Sequence, residues 1–189
     1  MLGKQRQQFF LFFCTFWLCL CAYANTSIIL DNNTQDLTLS KNIEYFADPS
    51  LEYTLADIQH EQQRGVNRWQ AANGFIPNYG FTKAAYWVKF TVNNQTNNPD
   101  WILHFEYPLM DTIELYSLNA QGQYQQQYST GDAYPFSQRP IKDRGFALAL
   151  NLTPQHTQTF YLRLQSRDSM IIAMSLLTRD AFRGQQQNE

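Results

Sequence analysis

Three groupings of side chains in this sequence have types and spacings from which chemistry is built. The run His60-Glu61-Gln62-Gln63-Arg64 opens as the H-E-x-x-H helix of zinc proteases does. Arg64 stands at the second ligand position, and a guanidinium offers no lone pair to zinc, so that metal site lacks its partner. Glycoside hydrolysis needs two carboxyl groups facing one cleft, about 5–9.5 Å apart. Glu106 and Glu114 fall on strands expected to be neighbours, with Asp111 between them, but nothing in the spacing sets any two across a cleft. His104 and His156 stand alone, and His104, on the polar side of a strand, reads as hydrogen-bonded or solvated rather than as a base. There is no G-x-S-x-G, P-loop or G-x-G-x-x-G, so no catalytic residue, metal site or cofactor is expected.

Binding chemistry is better represented. Trp87 lies opposite the apolar side of its own strand, where a large ring is unexpected, and Tyr116, Tyr161 and Arg163 are placed likewise on theirs. Rings on a sheet face stack on flat apolar surfaces such as a sugar ring, while Lys89, His104, Glu106 and Arg163 would donate or accept beside them. Two readings stand side by side: Trp87, Lys89, His104, Glu106, Tyr116, Tyr161 and Arg163 line a ligand face, or the aromatic residues pack beneath a helix or a long loop. A second cluster is Gly131, Asp132, Pro135, Arg139 and Pro140, followed by Arg144. Turn residues would hold Arg139 rigidly, fit to grip a carboxylate in bidentate fashion. An internal partner, Asp111 or Asp132, is favoured over a bound anion, which makes the group a loop-organising one.

The elements that position these residues follow from hydrophobic periodicity. Tyr86, Val88, Phe90 and Val92 alternate with Trp87, Lys89 and Thr91, and Trp101, Leu103, Phe105 and Tyr107 with Ile102, His104 and Glu106. The same period of two marks Ile113 and Leu115, Phe146 to Leu152, and Phe160, Leu162 and Leu164, while 170–177 reads as a last, more apolar strand. Short alternating strands with Pro, Gly and Asn between them predict an antiparallel β-sandwich. Thr54 to Asp57 has the form of a capping box, with Asp for the usual Glu or Gln, and predicts one short helix over Leu55 to Arg64 ending at Gly65. Residues 25–40 read as a polar segment with one apolar island at Ile28 to Leu30, and 179–189 as a polar, frayed tail.

Residues 1–24 have the parts of an export signal: Lys4 and Arg6, an apolar run of 16 residues (FFLFFCTFWLCLCAYA) and a final Ala-Tyr-Ala. Cys14, Cys19 and Cys21 all lie within it, so the 165 residues left of 189 after removing 24 hold no disulfide or thiol chemistry. The signal carries two of the 14 basic residues and no acidic ones, so the remainder has 12 against 16, a charge of −4. Mild acidity without a basic patch excludes nucleic acid as a partner. Those residues suffice for one domain with a sizeable core.

Five segments then come into register with a known family. Asn78 to Val92 (NYGFTKAAYWVKFTV) resembles its G-x-T-x-x-x-x-W-(L/V)-(K/R)-F segment, and Tyr107 to Tyr116 (YPLMDTIELY) its P-x-x-D-x-(I/V)-x-(L/F)-Y strand. Thr130 to Asp132, Pro135 to Pro140 and Phe160 to Ser166 match three more in order. The family is the extracellular type 2 sensor domain of bacterial seven-transmembrane receptors with diverse intracellular signalling modules. The resemblance implies an all-β jelly-roll sandwich similar to carbohydrate-binding modules, spanning 41–178 and placed in the periplasm, with seven membrane helices and an output module following in full-length relatives. The function expected is ligand sensing for a receptor, with a small carbohydrate-like or carboxylate ligand on the Trp87 face. The alternatives are a protein-interaction or homodimerisation module and, more remotely, a periplasmic glycoside hydrolase using Glu106 or Asp111.

Overall fold

The computed structural model describes residues 27–39, 42–72 and 74–188, so the proposed export signal lies outside the described residues. Two sheets form a sandwich. The larger runs in the order β4 (Gln70–Ala71), β3 (Ile43–Asp48), β6 (Ala85–Asn94), β11 (His156–Gln165), β8 (Thr112–Leu118), β9 (Tyr124–Thr130). Strand β1 (Ile28–Leu30) joins the far end of β6 in parallel; the other pairings in this sheet are antiparallel. The smaller sheet has the order β10 (Phe146–Asn151), β7 (Asp100–Phe105), β13 (Met174–Thr178), β2 (Asp36–Thr38), antiparallel throughout. A third ribbon pairs β5 (Asn78–Phe81) with β12 (Ser169–Ile171).

Period two decides which side chains meet. Tyr86, Val88, Phe90 and Val92 of β6, Phe160, Leu162 and Leu164 of β11, and Ile113 and Leu115 of β8 face Trp101, Leu103 and Phe105 of β7, Phe146, Leu148 and Leu150 of β10, and Met174 and Leu176 of β13. A one-residue slip would turn this whole set outward, so burial pins the register. Phe90 and Phe160 sit opposite each other, with stacked rings 5.2 Å apart.

The helix α1 (Leu55–Gln63) begins with the expected capping box: Asp57 N–H donates to Thr54 Oγ1 at 3.3 Å and Thr54 N–H to the Asp57 carboxylate at 2.9 Å. Its approach is set by buried Asp48, whose carboxylate accepts from the backbone N–H groups of Ser50, Leu51 and Tyr53, each at 3.1 Å. That turn lays α1 across the outer face of the seven-stranded sheet, where Leu55 and Ile58 bury against Phe46, Trp87 and Tyr161.

Two terminal segments depart from expectation. The apolar island becomes β1, with Ile28 and Leu30 fully buried. The tail expected to fray is a second helix, α2 (Arg179–Asn188), which follows β13 without a linker and is capped by Thr178 Oγ1, the acceptor for Ala181 N–H at 3.2 Å. Two adjacent apolar residues, Ala181 and Phe182, with none a turn further on, are too sparse a pattern to announce a packed helix. It docks because Ile102, Ala147 and Leu177 leave the smaller sheet with an apolar outer patch, and Phe182 covers it.

Candidate functional site

Register brings five of the sequence-predicted ligand residues together on the outer face of the seven-stranded sheet. Tyr161 lies opposite Lys89 on one side and Tyr116 on the other, and Arg163 lies opposite Trp87 and Glu114. They do not form an open face. Trp87 is fully buried under α1, and Tyr53, Trp69, Tyr116 and Tyr124 close round the same cluster. The rings touch edge-on or tilted, Phe46 to Trp69 at 5.0 Å, Tyr124 to Tyr161 at 5.0 Å and Trp87 to Tyr116 at 5.7 Å. Burial, with the nearby Tyr124 hydroxyl, pushes the Tyr161 phenol up to about 12.

The polar members of this face are also engaged. Lys89 Nζ is 2.6 Å from Glu44 and 4.9 Å from the centre of the Trp69 ring. Arg163 donates to Gln165 Oε1 at 3.0 Å and to the Leu51 carbonyl at 3.2 Å, Tyr116 O–H to Glu114 at 3.0 Å, and Tyr161 O–H to Gln62 at 3.4 Å. The face read as a stacking platform is therefore a second hydrophobic layer. Leu55 and Ile58 need an apolar surface, and these rings are it.

The carboxylate pair for hydrolysis also fails on geometry. β7 and β8 lie in different sheets, so Glu106 and Glu114 stand on opposite outer faces of the sandwich. Asp111 is held by Arg167, which donates its backbone N–H, its Nε at 3.1 Å and its Nη2 at 3.0 Å. Burial raises the Asp111 carboxyl, but the Arg167 hydrogen bonds and charge outweigh it and hold the group below the usual range. Asp132 is exposed, its backbone N–H bonded to the Met110 carbonyl at 2.7 Å. Arg139 does tie its loop internally, but to main chain rather than to either Asp. Its Nη1 donates to the carbonyls of Asp143 at 2.6 Å, Arg144 at 3.2 Å and Gly145 at 2.8 Å, and its plane lies 4.4 Å from the Phe146 ring centre.

That tie builds the site that remains. It presses residues 143–145 against β7: a Cβ on Gly145 would fall 2.1 Å from the Phe105 carbonyl oxygen and 3.3 Å from His104 Nε2. His104 Nε2 then lies 2.9 Å from Asp143 Oδ2, which also accepts the Gly145 N–H at 3.0 Å. Both side chains are nearly buried, 9% and 8% exposed, and His104 Nδ1 is buried without a partner among the described residues. Above this pair opens a cleft of about 620 Å³ lined by His104, Glu106, Pro108, Asp143, Arg144, Gly145 and Gln185. Burial raises the Asp143 carboxyl, but hydrogen bonds from His104, Gln186 and Gly145 overcome it and hold the group below its ordinary value.

Three predicted residues, His104, Glu106 and Arg144, thus meet in one cleft on the side of the molecule opposite the Trp87 layer. Asp143, Gln185 and Gln186 were not foreseen. Asp143 stands beside Arg144 and two residues before Gly145, a legible loop signal, but its meeting with His104 spans 39 positions. The glutamines sit in the segment read as a tail.

A family model, 7TMR-DISM extracellular 2, matches residues 40–178, which takes in β3 through β13, His104 and Asp143. No curated protein matches the chain.

Two outcomes follow from this geometry. Trp87→Ala removes a core ring and lowers the free energy of unfolding by about 3–5 kcal/mol in urea melts. Asp143 has a folded pKa below its unfolded value of about 3.9, so its contribution is complete above that value and is lost as pH falls through the folded one. Asp143→Ala, measured against wild type in melts from pH 7 down to pH 3, costs about 1–3 kcal/mol near neutrality and progressively less in acid.

Proposed function

The chain belongs to the 7TMR-DISM extracellular 2 family, and from that premise we propose that it senses a small sugar acid, or a like polyhydroxylated carboxylate, in the cleft floored by His104 and Asp143. The family is one of extracellular receptor sensor domains, accompanied in full-length proteins by a seven-transmembrane module, and its placement is outside the cytoplasm. Among the described residues no helix is long and apolar enough to cross a membrane. An export signal at 1–24 would deliver the domain to the periplasm.

The observation that carries the ligand assignment is the buried His104–Asp143 pair beneath an open cleft large enough for one small ring. The Arg144 guanidinium on its wall suits a carboxylate. Glu106, Asp143 and the Gln185 amide suit hydroxyl groups, which both donate and accept. Recognition here is polar rather than by ring stacking, because the cleft lining carries no Phe, Tyr or Trp among the described residues and the rings of the Trp87 layer lie beneath α1. Titration of the purified chain with glucuronate, followed by calorimetry, is expected to show binding that Arg144→Ala or Glu106→Gln weakens by about tenfold or more, the loss of one charge-assisted contact, with glucose weaker than glucuronate. Absence of binding by both sugars, or binding untouched by either substitution, overturns the assignment.

A second reading, self-association, is favoured by one observation: Phe75 and Phe81 are 81% and 80% exposed, with half-exposed Ile76 between them in sequence. Two chains meeting through this edge would give a mass that rises with concentration in sedimentation equilibrium and stays monomeric in a Phe75→Ser, Phe81→Ser double variant. A single monomer mass across the range rules it out.

A further inference from the structure

We propose that α2 reports the occupancy of the cleft: it is held on the smaller sheet by groups that also serve the ligand, and a ligand that takes them releases it. The inference rests on the cleft being the binding site.

A ten-residue helix is marginal in water by itself, so α2 persists through its docking. The main apolar anchor of the docking is Phe182, seated on Ile102, Ala147 and Leu177 and edge-on to the His104 ring at 5.4 Å, with half-buried Ala181 packed beside it. Beyond it the polar ties are few. Arg179 meets Asp100 at 3.3 Å, both half-exposed, a pair worth little in water. Gln185 Nε2 donates to Asp36 at 3.1 Å. Gln186 Nε2 donates to Asp143 Oδ1 at 3.2 Å and to the Lys142 carbonyl at 3.4 Å.

The last of these ties is shared with the cleft. Asp143 Oδ2 is already filled by His104 and the Gly145 N–H, so a ligand hydroxyl reaching this carboxylate must address Oδ1, the oxygen that Gln186 holds. Gln185 belongs to the cleft wall itself. His104 completes the circuit, with Nε2 on Asp143, its ring against Phe182 and its Nδ1 buried without a partner among the described residues. A ligand that draws Asp143 or the imidazole toward itself therefore loosens both the hydrogen-bonded end of α2 and the seat of its main apolar anchor, Phe182. At the other end α2 continues directly from β13, an inner strand of the smaller sheet, so whatever moves α2 acts at the exit from the sandwich. The family match ends at residue 178, so it takes in His104 and Asp143 and stops one residue short of α2.

Hydrogen exchange of the full chain, read by mass spectrometry, tests the proposal. In wild type the amides of 182–188 are expected to exchange about tenfold faster in saturating glucuronate, while those of β6 and β11 are unchanged, since docking rather than global unfolding is being read. Asp143→Ala and Gln186→Ala are expected to speed the same amides without any sugar, Phe182→Ala serving as the fully undocked reference. Glucuronate that binds by calorimetry yet leaves α2 exchange unchanged or slowed overturns the coupling. So does α2 protection equal to wild type in both the Asp143 and Gln186 variants. Failure of glucuronate to bind at all falls on the ligand assignment instead, and the sugar-free variants still decide whether the cleft's groups hold the helix.

Discussion

Each sheet of this sandwich carries apolar side chains on both of its faces, and water is a poor solvent for all of them. The shared core takes one face of each. The other two must be covered by something else, and that requirement explains most of what lies outside the core. On the larger sheet Phe46, Trp87 and Tyr161 are covered by α1. On the smaller sheet Ile102, Ala147 and Leu177 are covered by α2. The two covers differ in strength. Beneath α1 lies a layer of interlocking rings, and α1 is fastened by a buried aspartate and a capping box. Beneath α2 lies a smaller patch met by Phe182 and Ala181.

The difference decides which side of the sandwich keeps polar groups within reach of solvent. An aromatic layer with its central rings, Phe46, Trp87 and Tyr161, buried, Lys89 neutralised by Glu44 and Arg163 bonded to neighbouring main chain contributes stability and offers no open stacking platform. The lightly covered sheet leaves polar groups near its surface. His104 is a buried polar residue there because β7 must alternate, its outward position lying between Ile102 and Glu106. Asp143 compensates its burial, and the Arg139 clamp on three carbonyls keeps Asp143 in place. The closed aromatic layer and the proposed recognition cleft thus lie on opposite sides of one sandwich.

Much of the sandwich was legible in the sequence, because period two needs no long-range information: the inward sets of β6, β7, β8, β10 and β11 are those the alternation names. The start of α1 was legible from Thr54 and Asp57, which contact each other locally. What was not legible depends on partners far away in the chain. Whether Glu106 and Glu114 face one another turns on β7 and β8 joining different sheets, which a short connection between antiparallel strands does not reveal. Trp87 alternates correctly whether it faces water or a helix, so its burial turned on where α1 came to rest. Phe182 is the one large apolar residue in a polar run, and its role appears only once the patch beneath it exists. The site followed the same rule: His104, Glu106 and Arg144 could be named as polar groups, but their convergence required the fold.

The close approach at Gly145 has an evolutionary meaning. Its missing side chain is what lets the 143–145 segment rest on β7, so any other residue would push the floor of the cleft away from His104. The neighbouring Arg144 is under no such backbone demand, since its side chain points outward onto the cleft wall. Residue 145 is thus closed to substitution by main chain, whereas a change at Arg144 would act through the side-chain contacts it gives up. A lineage that keeps this cleft must keep the glycine, and any variation in the cleft has to come from the side chains around it.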